Sequence, residues 1–168
     1  MNRIIDYRKL RDFITNHRVD GDELELGTPA SLESIKIVED RLGVKIPPSL
    51  KKFLSEVGDI SDHEYYINGI SGNDPLRRSK SLITDTMEAR EQHSFSSKFI
   101  VVHSDENEYF VCLDTNKVDS LGECPVVEVD FITGHVKGEL AKNFDIYLSA
   151  QIASFDSSIE ADHFLLEQ

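Results

Sequence analysis

A chain of 168 residues is long enough for one domain with a full hydrophobic core and short for two. Its 39% hydrophobic and 29% charged residues are typical of a globular protein and exclude a disordered chain, and two cysteines exclude a disulfide framework. No apolar run approaches the roughly 20 residues of a membrane-spanning helix, and the N-terminus lacks the apolar stretch of a signal peptide. We therefore expect a cytoplasmic protein with reduced thiols.

The net charge of −13 is concentrated in the second part of the chain. Residues 1–98 contain 15 Lys and Arg against 17 Asp and Glu, a net of −2, whereas residues 99–168 contain 3 against 14, a net of −11. Phosphates are repelled by such a surface, so the charge argues against nucleic acid or an anionic membrane as partner. It fits a cationic partner, and it equally fits a surface that only keeps the protein soluble.

The first part of the chain is predicted to be helical. Apolar residues at helical spacing predict a helix over 3–16, and the Gly- and Pro-containing stretch 18–30 predicts a loop. Ser31 is the expected N-cap of a second helix, which Gly43 ends in the left-handed conformation. Pro48 suits the first turn of a third helix, whose buried face is predicted to comprise Leu50, Phe53, Leu54 and Val57 and which Gly58 ends. The result is a helical hairpin with two apolar stripes facing one core.

From residue 64 onwards the pattern changes to short strands. "EYYINGI" predicts a strand, and a helix over 85–93 with Asp85 as its cap follows. "KFIVVH" and "EYFVCLD", joined by "SDENE", predict an antiparallel hairpin, and "PVVEVD" predicts a third strand. In that strand Val127, Val129 and Phe131 point one way, and Val126, Glu128 and Asp130 point the other way, as the outer face of a half-buried sheet.

The C-terminal part of the chain is predicted to close the domain with a helix. "ITGHVKG" indicates a turn or short strand, and "ELAKNFDIYLSAQIA" indicates an amphipathic helix with Leu140, Phe144, Tyr147 and Leu148 on one face. Phe155, Phe164 and Leu165 favour a further short helix in the tail. The predicted fold class is α+β: an N-terminal helical hairpin packed on a mainly antiparallel sheet and closed by a C-terminal helix.

Patterns for catalysis or metal binding are weak. Cys112 and Cys124 are separated by eleven residues, which is not zinc-ligand spacing, and Cys112 lies in an apolar strand where a free cysteine packs as a small hydrophobe. Glu128 and Asp130 share a strand face at a separation that a glycosidase pair also uses, but such acids are common on the solvated side of a sheet. No nucleophile elbow and no phosphate-binding glycine loop occurs. We therefore predict no enzymatic activity, no cofactor and no metal.

The segment "SLESIKIVEDRLGVKIPPSLKKFLSEVGDI" resembles the SUKH superfamily, the Smi/Knr-type domain. The pattern of that family is a helix ending in Leu-Gly, an apolar-x-apolar-Pro turn, and a second helix that ends at a glycine. The residues that match it are Ile35, Leu42, Gly43, Ile46, Pro47, Phe53, Leu54 and Gly58. "FVCLDTNKVDSLGECPVVEVD" is similar to bacterial members of the YobK type, whereas "SEVGDI" lacks the aromatic residue or Asn that many members have before the glycine.

The resemblance implies one non-enzymatic domain over 1–168, with a recognisable core at about 28–150, an N-terminal helix and loop over 1–27 and a C-terminal extension over 151–168. Bacterial members of this superfamily are typically immunity proteins that neutralise a toxin, and eukaryotic members include scaffold proteins of cell-wall regulation. We expect an immunity protein whose partner is a toxin with a basic nuclease domain. The alternatives are an intracellular scaffold and, as a third class, a small hydrolase or ligand-binding protein that uses the sheet face.

The carboxylates of the second part of the chain are the candidate partner-binding residues, because a basic nuclease cleft attracts an acidic surface. They are Asp105, Glu106, Glu108, Asp114, Asp119, Glu123, Glu128 and Asp130. These acids are selected by their position in the sequence, so the competing interpretation is that many of them only solvate the sheet. Neither nucleic acid nor membrane is an expected partner, and the sequence leaves the oligomeric state open.

Overall fold

A computed structural model describes residues 5–16, 24–62, 65–70, 75–76, 81–105 and 108–155. Its helices are α1 (Tyr7–Asn16), α2 (Leu32–Leu42), α3 (Pro48–Glu56), α4 (Leu82–Gln92) and α5 (Phe144–Phe155). Its strands are β1 (Glu25–Leu26), β2 (Ile60–Ser61), β3 (Tyr66–Ile67), β4 (Phe99–Asp105), β5 (Tyr109–Asp114), β6 (Val126–Asp130) and β7 (Val136–Ala141). The α+β class is confirmed, and no described helix is long and apolar enough to cross a membrane.

The helical hairpin α2–α3 forms as its capping residues predict. The Ser31 hydroxyl accepts a hydrogen bond from the backbone N–H of Ser34 at 3.1 Å, which satisfies one of the free donors of the first turn. Gly43 ends α2 with φ 69°, and its N–H donates to the Glu39 carbonyl. Pro48 occupies the first turn of α3, where its missing N–H has no consequence.

All strand pairs are antiparallel, and they form two sheets. The larger sheet has the order β4-β5-β6-β7, so the predicted hairpin and the third strand are confirmed. The smaller sheet, β1-β2-β3, consists of two-residue strands. Within it, only β3 was anticipated from the sequence: β1 lies in the stretch predicted to be a loop, and β2 directly follows Gly58 and Asp59.

The large sheet is covered on both of its faces, which corrects the prediction of a half-buried sheet. One face carries Val126 and packs on the main core together with the apolar sides of α1, α2, α3 and α5. The opposite face carries Val127 and Val129 and packs on Ala89 of α4 and on Phe95. The alternation along β6 is as predicted, but Glu128 shares its face with the fully buried Val126. Its surroundings are therefore the rim of the main core.

Three helix starts differ from the prediction, and the first is that of α1, which begins at Tyr7 although the sequence pattern placed its start at residue 3. α4 begins at Leu82 with Ser81 as its N-cap, because the Ser81 hydroxyl accepts from the Thr84 N–H at 3.2 Å. Asp85 lies one turn inside that helix, and its carboxylate accepts a hydrogen bond from Asn68 at 2.9 Å. The predicted capping role of Asp85 is therefore wrong, and the cap lies four residues earlier.

The closing helix α5 begins at Phe144, whereas the sequence pattern placed its start at Glu139. The Asn143 side chain accepts from the Ile146 N–H at 3.0 Å and so caps the helix, while Glu139–Ala141 continue β7. Leu140 is therefore 46% exposed, although it was predicted to lie on the buried face. Phe144, Tyr147 and Leu148 are buried as predicted. Phe164 and Leu165, assigned to a tail helix, lie outside the described residues.

Candidate protein-binding site

A β-bulge in β4 determines where His103 lies. Val101 pairs with Cys112, but His103 pairs with Val111, so Val102 is an extra residue in the ladder. Without the extra residue, strand alternation would place His103 on the same face as Val101, towards α4. The bulge instead turns His103 to the main-core face, beside Val111. Bulges of this kind frequently reorient a side chain next to a functional site.

Three tyrosine side chains surround the His103 ring. Tyr65 stacks on it with ring centroids 4.0 Å apart, Tyr66 contacts it edge-on at 5.3 Å, and the Tyr109 centroid lies at 6.2 Å. The hydroxyl of Tyr147 from α5 is hydrogen-bonded to the hydroxyl of Tyr65. Burial raises the pKa of both of these hydroxyls, so they remain protonated. We call Tyr65, Tyr66, His103, Tyr109 and Tyr147 the tyrosine–histidine cluster.

The hydrogen bond of His103 determines its tautomer. Its Nδ1 lies 2.9 Å from the Tyr66 carbonyl oxygen, which can only accept, so Nδ1 carries a proton and donates it. Burial lowers the pKa of His103, partly offset by the Tyr66 carbonyl and by the charges of Asp105 and Asp85. In the neutral ring, Nε2 therefore has a free lone pair.

Three of the candidate carboxylates lie around Tyr109, at the rim of this cluster. Burial raises the pKa of the Tyr109 hydroxyl, and the negative charges of Asp105, Glu128 and Glu108 raise it further. Asp105 and Glu108 are exposed, and Glu128 is 28% exposed with Lys137 at 3.2 Å from its Oε1. The fold thus gathers Asp105, Glu108 and Glu128 beside an aromatic group, which we call the acidic rim.

Asp130 lies at the same end of the sheet, opposite Tyr109, but its carboxylate is engaged locally. Its Oδ1 accepts hydrogen bonds from the N–H groups of Ile132 and Thr133 and from the Thr133 hydroxyl, at 3.0, 2.7 and 2.9 Å. These hydrogen bonds lower the pKa of Asp130, and the bonds from Thr133 have the largest effect. Asp130 therefore stabilises the β6–β7 turn.

Of the remaining described candidates, Asp114 ends β5, five residues or about 17 Å from Tyr109, and Asp119 and Glu123 lie in the connection that follows it. Asp114 is buried and its Oδ1 accepts from the Asn116 N–H, whereas Asp119 is exposed and orders the β5–β6 connection. Glu123 accepts two hydrogen bonds from Ser49. The eight candidates therefore do not form one surface. Glu106 lies outside the described residues.

The described residues contain no group of three or more His, Cys, Asp or Glu side chains able to hold a metal ion. Both cysteines are free and buried, Cys112 against the α4 side of the sheet and Cys124 in the main core. The packing role predicted for Cys112 is thus confirmed. Burial raises the pKa of both thiols, that of Cys124 to about 12, so neither is a thiolate at neutral pH.

Sequence reasoning missed the aromatic half of this site. The histidines are scattered along the sequence. The tyrosines of the cluster come from segments that are far apart in the chain, as Tyr65, Tyr109 and Tyr147 show. The one local signal is the alternation of Tyr109 with Val111 on β5, which places Tyr109 on the core face at the strand end. The bulge at Val102, which brings His103 beside it, has no marker in the sequence.

A helical hairpin ahead of an antiparallel sheet, closed by a helix that contributes Tyr147 to the tyrosine–histidine cluster, describes a small α+β domain. Residues 7–153 match the model of the SUKH_5 family, described as SMI1-KNR4 cell-wall. The match runs from the first residue of α1 into α5 and covers most of the chain. The chain belongs to this family, which confirms the resemblance to the SUKH superfamily.

Proposed function

We propose that this protein is a cytoplasmic immunity protein that binds and neutralises a toxin, with the acidic rim and the tyrosine–histidine cluster as its contact surface. Membership of a superfamily that includes immunity proteins supports this role, as does the net charge of −11 over residues 99–168. The single observation that carries the site is the strand register, which pairs Asp105 with Tyr109 and places Glu128 opposite Val111, two residues along the same face, while Glu108 precedes Tyr109 in the chain. Tyrosine is enriched among the residues that contribute most of the binding energy at protein interfaces.

The proposed toxin has a basic cleft, as nucleases have, because the rim offers carboxylates where such a cleft binds phosphates. Opposite charges steer the two proteins together and raise the association rate, an effect that decreases with salt. The buried aromatic contacts would then slow dissociation. In this proposal the protein acts by occupying the cleft and needs no catalytic residue of its own.

The test is co-expression of the protein with the C-terminal domain of a toxin encoded beside its gene, scored by growth. Charge reversal by Asp105→Lys with Glu128→Lys should abolish protection, whereas the reversal Asp119→Lys in the β5–β6 connection should leave protection intact. The double variant Glu128→Lys with Asp130→Lys changes the rim and also removes the hydrogen bonds of Asp130 in the β6–β7 turn. Its comparison with the first variant shows whether the turn contributes to protection. Equal protection by the rim variant and the wild type would refute this contact surface.

The alternative role is an intracellular scaffold that binds several partners. An absence of rescue by the wild type against every neighbouring toxin domain, combined with salt-dependent binding to other host proteins, would favour that role. A hydrolase or a small-molecule binder would instead show a ligand-dependent increase in thermal stability that salt hardly changes.

A further inference from the structure

His103 carries a hydrogen-bond acceptor, Nε2, for which no described residue provides a donor. The side chain is 4% exposed, and Nδ1 donates to Tyr66 as described above. The two imidazole nitrogens lie on different sides of the ring, so Nε2 points away from the Tyr66 carbonyl that Nδ1 contacts. No described residue donates to Nε2. A ligand that supplies a donor can therefore make a hydrogen bond to this nitrogen in place of water.

Nε2 is not sealed inside the protein. Among the described residues, Arg90 Nε is the one side-chain polar atom that is both fully enclosed and without a hydrogen-bond partner. The adjacent Tyr109 ring is only partly buried, and its hydroxyl end faces the acidic rim. The Tyr109 ring lies beside the acidic rim with its centroid 6.2 Å from that of His103, so a ligand group bound at Tyr109 lies close to the His103 ring.

The groups around this entrance have one chemical character in common. The carboxylates of Asp105, Glu108 and Glu128 and the His103 Nε2 all accept hydrogen bonds, and the tyrosine ring presents an aromatic face. A planar cation with several donors satisfies all of these features at once, because it can stack on the ring while its N–H groups reach acceptors in its plane. An ammonium group is a compact and strongly hydrated point charge, which matches the carboxylates alone.

We propose that the acidic rim and the tyrosine–histidine cluster receive an arginine side chain of the partner protein, with its guanidinium group on Tyr109 and one N–H donated to His103 Nε2. This inference rests on the proposed function in that it names the chemistry of the partner's contact residue. The lowered pKa of His103 keeps the ring neutral, so that Nε2 remains an acceptor.

Lys137 is an internal competitor for this site. Its Nζ lies 3.2 Å from Glu128 Oε1, on the exposed strand β7. Exposed ion pairs contribute little to stability, so an incoming cation can displace the lysine easily. Removing Lys137 should therefore strengthen arginine binding by a few-fold without affecting the fold.

The test uses a capped tetrapeptide, Gly-Arg-Arg-Gly, and its lysine counterpart, titrated into the full-length protein at low salt. Long-range proton–nitrogen NMR spectra of the histidine rings report the tautomer of His103 and any new hydrogen bond at Nε2. We expect an unprotonated Nε2 in the free protein, a shift of its resonance with the arginine peptide, and at least about fivefold weaker binding of the lysine peptide.

Variants localise the effect. Asp105→Asn with Glu128→Gln should weaken arginine binding about tenfold or more, and Lys137→Ala should strengthen it. Asp119→Asn removes the same kind of charge at the other end of the sheet and should leave binding unchanged. His103→Asn keeps a donor near the Nδ1 position and removes Nε2, so it should fold and bind less tightly, whereas His103→Gln, which reaches the Nε2 position, should recover part of the binding.

Three results would overturn the proposal: a protonated Nε2 in the free protein, equal binding of the two peptides, or arginine binding that leaves the Nε2 resonance unchanged. Failure of the proposed function is distinguishable from these results. If the arginine peptide binds as expected but no toxin is neutralised, the site stands and the immunity role fails. If protection persists in His103→Asn and in Asp105→Asn with Glu128→Gln, the immunity role stands and the arginine site fails.

Discussion

Glu123 accepts hydrogen bonds from the backbone N–H of Ser49 at 2.9 Å and from the Ser49 hydroxyl at 2.7 Å. Ser49 lies in the first turn of α3, whose preceding residue, Pro47, makes no side-chain capping bond. A carboxylate from the β5–β6 connection thus caps this helix from a distance in sequence and interacts favourably with the positive end of the helix dipole. The pair fixes that connection against α3.

We predict that Glu123→Ala lowers the free energy of unfolding by about 1–2 kcal/mol, since a helix cap and a carboxylate hydrogen bond are both lost. Glu123→Gln should cost less, because an amide oxygen can still accept one of the two bonds. Urea unfolding followed by circular dichroism measures both. Neither variant should weaken partner binding. A stable Glu123→Ala protein that no longer protects against the toxin would move the contact surface to this end of the sheet.

The contribution of Glu123 to the free energy of unfolding should change with pH in a direction that follows from its pKa. Burial raises the pKa of Glu123, and the two Ser49 bonds only partly oppose this. A raised folded-state pKa means that the contribution of Glu123 is complete below its unfolded pKa and is lost as pH rises through the folded pKa. The stability of the wild type relative to Glu123→Gln should therefore be higher in acid than at neutral pH.

How much of the fold follows from the sequence depends on whether the determining contacts are local. α2 is predictable because Ser31 and Gly43 act on adjacent backbone groups. The start of α5 is not, because Glu139, Leu140 and Ala141 are good helix formers, and pairing of β7 with β6 overrides that preference.

The binding site is predictable in part for the same reason. Acidic residues near the β4–β5 turn can be read from the sequence, but their convergence on Tyr109 depends on strand register. The position of His103 depends on a bulge, and the positions of Tyr65 and Tyr147 depend on packing between segments that are distant in the chain. Alternation along β6 was predicted correctly, yet the sequence could not show that both faces are covered, the Val126 face by the main core and the Val127 and Val129 face by the smaller core.

Tyr7 anchors α1 to α5. Its hydroxyl donates to Asp145 Oδ1, and the Ile5 N–H donates to Oδ2 of the same carboxylate at 3.3 Å. Both Tyr7 and Asp145 are buried, so Tyr7→Phe leaves a buried carboxylate with one donor fewer and should lower the free energy of unfolding by roughly 1.5–3 kcal/mol. Asp145→Asn should cost less in the Tyr7→Phe background than in the wild type. Equal costs in the two backgrounds would show that the residues are not coupled.

Gly58 is a position where the backbone leaves no space for a side chain. Its φ is 96°, and an added Cβ would lie 2.5 Å from the Thr28 carbonyl oxygen. Gly58→Ala should therefore cost more than about 3 kcal/mol in unfolding free energy, from strain and displaced backbone together. Gly43→Ala, at φ 69° with open space, should cost about 1 kcal/mol. Gly138→Ala, also in open space on β7, is the near-neutral control, and a Gly58→Ala loss as small as that of Gly43→Ala would contradict the steric argument.

His103 should lower the stability of the protein as pH falls, whereas the buried carboxylates have the opposite effect. Its folded-state pKa is lowered, chiefly by burial, so its contribution to stability is complete above the unfolded pKa of about 6.5 and is lost as pH falls through the folded pKa. Burial raises the pKa of Asp59, Glu123 and Asp145, and their contributions are lost as pH rises instead. The wild-type profile alone therefore mixes the two effects.

The comparison with His103→Asn separates them, because this variant retains a donor for the Tyr66 carbonyl and does not titrate. Unfolding free energies measured between about pH 7.5 and about pH 5 should fall more steeply in the wild type than in His103→Asn. The charges of Asp105 and Asp85 favour protonation of the ring and should therefore make this change in stability smaller. Parallel profiles for the two proteins would mean that His103 titrates alike in the folded and unfolded chains, and the ring would then not be held as a neutral acceptor inside the cluster.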